Sequence, residues 1–263
     1  MMSSPFPRSI LQVAPRVVLS LLLAACSRGP GGTSASDVRL PPAGPPGDPA
    51  IPARVAPVFP AGWRLPAGQP ATFAPQVMAV SNSPEASAAA TEIMRAGGNA
   101  VDAAVALGFA LAVTWPEAGN IGGGGYSVVR LADGRVAAID YREIAPLAAT
   151  RDMYLDASGK LTDKSVYGHL ASGVPGAVAG LSALLERYGT MPLSRVMQPA
   201  IRLAREGFVV DTALAGSIAR ARGMVTRFQR STPYFPNGQP LAAGARRVQP
   251  DLARTLEAIA QYG

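Results

Sequence analysis

The side chain best suited to hold a ligand in this 263-residue chain is Arg142. It follows a strand-like run that ends in Asp140 and precedes Glu143 and Pro146, so its guanidinium stands at the end of an element, where ligands are commonly met. Arginine offers two parallel donors in a rigid fork, which a carboxylate accepts with both oxygens. The same spacing also fits an ion pair with Asp140 or Glu143, and on spacing alone that structural reading is favoured.

Other chemistry is constrained by what the neighbours are. His169 is the sole histidine and stands three residues before Ser172. A serine hydrolase elbow of the form G-x-S-x-G needs glycine at position 170, which is Leu170. One histidine, with no carboxylates at ligand spacing around it, gives no metal site. The run Gly122-Gly123-Gly124-Gly125 has bare amides that suit an anion, yet no Gly-Lys-Ser/Thr follows it and no G-x-G-x-x-G register fits. The run reads instead as close backbone packing where helices give way to strands.

The elements that must position these residues are well punctuated. Residues 77–80 have a strand pattern. Ser83-Pro84-Glu85 opens a helix with a capping hydroxyl, a first-turn proline and an acid at the positive end of the dipole, and Gly97-Gly98 closes it. Asn99 caps a second helix over 100–114, stopped by Pro116. That helix is apolar all round apart from Asp102, which predicts cover on every side. Strands over 126–131 and 135–140 join through Asp133-Gly134, a hairpin signal. Helices follow over 175–188, over 193–206 with an interruption at Pro199, over 212–222 and over 249–261. Helices flanking antiparallel strands define an α+β layered domain.

The chain divides into three parts. Residues 1–26 read as an export signal, with Arg8 and Arg16 before the apolar run at 17–23, too short to span a bilayer. Leu23-Ala24-Ala25-Cys26 resembles a lipobox, in which the only cysteine becomes a lipidated N-terminus; an ordinary signal peptide is the alternative. Residues 27–74 contain 11 prolines and 7 glycines and read as a tether. Its later apolar residues, among them Trp63 and Phe73, suggest docking on the domain formed by 75–263. Hydrophobic residues at 48% and charged residues at 16% exclude wholesale disorder. The net charge of +7 comes from 22 arginines and only Lys160 and Lys164. These are scattered without basic runs or interleaved aromatics, so nucleic acid is not an expected partner.

Five stretches carry a family resemblance: 97–104 (GGNAVDAA), 116–125 (PEAGNIGGGG), 140–146 (DYREIAP), 171–176 (ASGVPG) and 198–208 (QPAIRLAREGF). Jointly and in this order they resemble the N-terminal, large-subunit part of bacterial γ-glutamyltransferases, or glutathione hydrolases. The resemblance implies a four-layer αββα N-terminal-nucleophile hydrolase fold, incomplete in this chain. It implies a zymogen that cleaves itself into a heterodimer of large and small subunits. Such enzymes remove the γ-glutamyl group from glutathione and related amides through a γ-glutamyl-threonine intermediate, transferring it to water, amino acids or peptides without a cofactor or metal.

The family's threonine nucleophile would lie beyond residue 263, so no catalytic residue is assigned here and these 263 residues alone are expected to be inactive. Arg142 matches the family arginine that binds the α-carboxylate of the γ-glutamyl group, and Asp140 and Glu143 are expected to hold it. With the signal, this makes a periplasmic, membrane-anchored lipoprotein attached through Cys26. An acylase of the same superfamily and a non-catalytic exported scaffold protein are the alternatives.

Overall fold

Two consecutive capped helices form the centre of the structure, a computed structural model that describes residues 73–228 and 232–263. Helix α1, Pro84–Arg95, begins where the Ser83 hydroxyl accepts a hydrogen bond from the Ala86 amide at 3.2 Å. Helix α2, Ala100–Thr114, begins at a reciprocal box. The Asn99 side chain accepts from the Val101 and Asp102 amides at 2.8 and 3.0 Å, while Asp102 accepts from the Asn99 amide at 2.7 Å.

Asp102 is fully buried and does more than close the box. Its carboxylate also accepts from the Thr190 amide and hydroxyl at 2.9 and 2.6 Å and from the Met191 amide at 3.1 Å. Those residues follow helix α3, Ala177–Tyr188, so one carboxylate joins the start of α2 to the end of α3. Burial pushes the Asp102 carboxyl up. The Thr190 hydroxyl and the amides of Thr190, Asn99 and Met191 outweigh that effect and hold it below its ordinary value.

The expected all-round cover of α2 is met only in part: ten of its fifteen residues are buried, including Val105, Phe109 and Val113, while Ala100, Ala104, Leu107 and Leu111 form a stripe that is exposed or half-buried among the described residues. It packs on α1, on α3, on the one-turn α4, Leu193–Val196, and on α5, Gln198–Glu206; α7, Pro250–Tyr262, closes over α4 and α5. Ile93, Leu184, Met197 and Leu256 complete the centre of the core. Pro199 does not break a helix as its position suggested. The break falls at Met197, and Pro199 sits in the first turn of α5, where its missing N–H costs nothing.

Strands β1, Tyr126–Arg130, and β2, Val136–Asp140, pair antiparallel from Tyr126↔Asp140 to Arg130↔Val136. Asp133 fixes the turn by accepting from the Arg135 amide at 3.0 Å, and Gly134 takes φ +87°. On the inner face Val129 and Ile139 pack against the core. On the outer face Tyr126, Val128 and Val136 are exposed, Val128 at 75%. A second ladder, β3 Phe208–Val209 with β4 Arg246–Arg247, flanks α6, Thr212–Thr226.

Two expectations differ from the structure. Residues 77–80 form no strand, because no described segment pairs with them. Phe73 is exposed rather than docked. The expected signal, Cys26 and the tether up to residue 72 lie outside the described residues. Among the described residues no helix is long and apolar enough to cross a membrane.

Candidate active-site arginine

The end of β2 is built into a socket of glycines. The Tyr141 amide continues the ladder by donating to the Gly125 carbonyl at 3.0 Å, and Ile144 bridges to Val174 through hydrogen bonds of 3.2 and 2.8 Å. Between these anchors the backbone of 141–142 runs so close to its neighbours that side chains are excluded. A Cβ on Gly124 would lie 2.5 Å from the Tyr141 carbonyl oxygen, and one on Gly176 would lie 2.2 Å from it. The Tyr141 ring lies on α3, where a Cβ on Gly180 would meet its Cγ at 2.1 Å, and its hydroxyl is 3.1 Å from the Ser127 hydroxyl.

The glycine run has a second role in the same socket. The Gly123 carbonyl accepts from both the Gly176 and Ala177 amides at 2.9 Å, satisfying donors that the first turn of α3 leaves unpaired. From Gly123 to Gly125 the run therefore serves as the tight packing joint that the sequence suggested, bonded to α3 and abutting the 141–142 segment, while Gly122 has open space around it.

Arg142 emerges from this joint on the outer side of the hairpin. Its amide donates to Asp140 at 3.0 Å, and its Nε and Nη2 donate to the two Asp140 carboxylate oxygens at 3.3 and 3.2 Å. The guanidinium carbon stands 4.6 Å from the centre of the Tyr126 ring. Hydrogen bonding to Asp140 first, and its charge second, raise the Arg142 pKa, and the same contacts lower that of Asp140. Both side chains are more than half exposed. Nη1 donates to no acceptor among the described residues, so one edge of the fork is held by the protein and the other two-donor edge is free.

Of the two acids expected to hold Arg142, Asp140 does so through hydrogen bonds, whereas Glu143 acts on it only through its charge. Glu143 forms no ion pair or side-chain hydrogen bond among the described residues, and its Cβ instead packs close to Gly173. His169 lies exposed in a single 3-10 turn with Leu170 and Ala171, and no side-chain hydrogen bond joins it to Ser172. Tyr126 and Tyr141 were not singled out by sequence. The Asp133-Gly134 turn held the signal for Tyr126, since it fixes the register that sets Tyr126 opposite Asp140.

Helices packed on an antiparallel hairpin, with an arginine presented at the hairpin's end, make this an α+β protein. A family model described as Gamma-glutamyltranspeptidase matches residues 86–263, and the chain belongs to that family. It is 49% identical over 193 residues to the "Glutathione hydrolase proenzyme" of Escherichia coli (strain K12), covering 72% of this chain and 33% of that one. It is 46% identical over 194 residues to the "Acylase ACY 1 proenzyme" of Pseudomonas sp. (strain V22), covering 71% and 35%. Among solved structures, the Helicobacter pylori gamma-glutamyltranspeptidase superposes with a TM-score of 0.71 at 44% identity, covering 74% of this chain and 56% of that one. The chain thus spans about a third of the length of the curated relatives it matches.

Proposed function

We propose that this chain supplies the large-subunit part of a γ-glutamyltransferase, and that Arg142 binds the α-carboxylate of the γ-glutamyl donor. The observation that carries the reading is the free two-donor edge of a guanidinium whose other edge is held by Asp140. In that role Arg142 fixes the far end of the glutamyl chain and so places the γ-carbonyl before the nucleophile; it contributes positioning and no bond making. The nucleophile is a threonine supplied by the small subunit of the same precursor. Its hydroxyl adds to the γ-carbonyl, the amine departs with a proton, and the γ-glutamyl ester passes to water or to an amino group. The uncovered outer face of the β1–β2 hairpin is where that second subunit packs. The first 26 residues direct export, and Cys26 carries the lipid anchor that holds the protein at the membrane.

The test is kinetic. In the complete two-subunit enzyme, Arg142→Lys keeps the charge but loses the fork, and KM for a γ-glutamyl anilide rises about 100-fold while kcat changes less. A KM at the wild-type value rejects the assignment. The 263 residues alone give no turnover, and measurable hydrolysis by them overturns the division of labour. Transfer of labelled palmitate to wild type and not to Cys26→Ser tests the anchor.

The acylase reading is kept by the 46% identity to an acylase proenzyme. It is favoured if the enzyme cleaves acyl amides that lack an α-carboxylate as readily as γ-glutamyl ones, in which case Arg142→Lys leaves those substrates unaffected.

A further inference from the structure

We infer that Tyr126 is a positioning residue for carboxylate recognition, holding the Arg142 guanidinium by its face while Asp140 holds it by one edge. The inference rests on the reading of Arg142 given above and adds a residue to it.

A guanidinium that must present one edge to a ligand has to be fixed both within its plane and across it. Asp140 supplies the in-plane restraint through Nε and Nη2, but at 3.2–3.3 Å these bonds are longer than the 2.7–2.9 Å usual for charge-assisted pairs. Both partners are exposed, so water and salt weaken the pair further. A loosely held edge leaves the plane free to tilt. The Tyr126 ring opposes that motion: its centre is 4.6 Å from the guanidinium carbon, within the range of cation–π attraction.

The placement follows from the fold. Tyr126 and Asp140 are direct partners in the β1–β2 register, so their side chains leave the same face of the hairpin side by side. Arg142 lies two residues past Asp140, anchored by the amide bond to that same carboxylate. The hairpin thereby brings an anion, an aromatic face and the arginine together before any substrate arrives. This arrangement reduces the ordering left to be done on binding.

The test compares variants of the two-subunit enzyme with two donors, a γ-glutamyl anilide and its α-carboxamide analogue. Tyr126→Leu should raise KM for the carboxylate donor about 2- to 5-fold with kcat unchanged within error. Tyr126→Phe and Tyr126→Trp, which keep the ring face, should restore KM. With the carboxamide donor the Tyr126→Leu effect should vanish, because Tyr126 acts only through the pairing of Arg142 with the ligand's carboxylate. An unchanged KM in Tyr126→Leu, with Arg142→Lys still impaired, overturns the inference and leaves the function intact. Equal losses with both donors assign Tyr126 a purely structural part and also overturn it. If Arg142→Lys has no effect, both fall together. Should Tyr126→Leu fail to mature, the Phe and Trp variants decide: KM that rises in either refutes the ring-face role.

Discussion

The start of α2 and the end of β2 both turn on a buried or half-open aspartate, and they differ in how much of its surroundings this chain provides. Asp102 is fully enclosed, and its carboxylate accepts four hydrogen bonds from Asn99, Thr190 and Met191. Asp140 has Arg142 as its hydrogen-bond partner, on a hairpin whose outer face presents Val128 and Tyr126 to solvent. The first is a finished structural joint. The second is a surface whose apolar area stays exposed among the described residues, as the proposed packing of a second subunit there requires. An exposed apolar face of this kind also predicts poor solubility for the chain by itself.

This contrast can be broken at graded points. The largest effect is expected at the finished joint, where Asp102→Asn removes the charge and turns an NH2 group toward donors. It should destabilise the chain by about 2–4 kcal/mol in urea unfolding. Because the folded pKa of Asp102 is lowered, its contribution is complete above the unfolded value of about 3.9 and fades as pH falls through the folded value. Wild type should therefore lose stability below about pH 4 more steeply than Asp102→Asn. A parallel pH dependence would show that the carboxylate is not the group responsible.

A smaller loss is expected where the two regions meet. Gly180→Ala forces a methyl into the Tyr141 ring and should cost about 1–3 kcal/mol by overpacking. The displaced ring pulls on the 141–142 backbone, so KM of the assembled enzyme should rise as well. Stability loss without a KM change would mean that the socket is not coupled to Arg142. The smallest effect belongs to the outer hairpin face. Val128→Thr should leave the chain's own stability within about 0.5 kcal/mol, since the side chain is already in water. On the proposed packing, the same substitution should weaken association with the small subunit, measured by dissociation of the heterodimer under dilution.

Sequence revealed the parts of the fold whose causes are local. The Ser83 and Asn99 caps, the Gly97-Gly98 stop and the Asp133-Gly134 turn act across two to four residues, and each is where the pattern predicted. Interactions across long separations were hidden. The bonds from Thr190 to Asp102 cross 88 residues, and the β3–β4 ladder joins two-residue strands too short to show an alternation. The strand expected at 77–80 has a suitable composition, but a strand exists only through a partner, and the described residues hold none. At the site, Arg142 and Asp140 were legible because they are neighbours in sequence. The Glu143 expectation came from the same adjacency and is met by charge alone, because consecutive side chains beyond a strand end need not share a face. Tyr126 required the register before it could be seen.

The seat of the Tyr141 ring against Gly180 also has a bearing on how the hairpin chooses its alignment. A strand that slips by one residue exchanges its two faces. Position 141 would then be taken by Asp140 or Arg142, and a charge would be pushed against the small-residue surface of α3 with nothing there to pair it. Only the correct alignment delivers an aromatic ring to the one place on α3 that lacks a side chain. The missing methyl group thus favours one strand alignment over its neighbours, and that alignment is the one that sets Tyr126, Asp140 and Arg142 together.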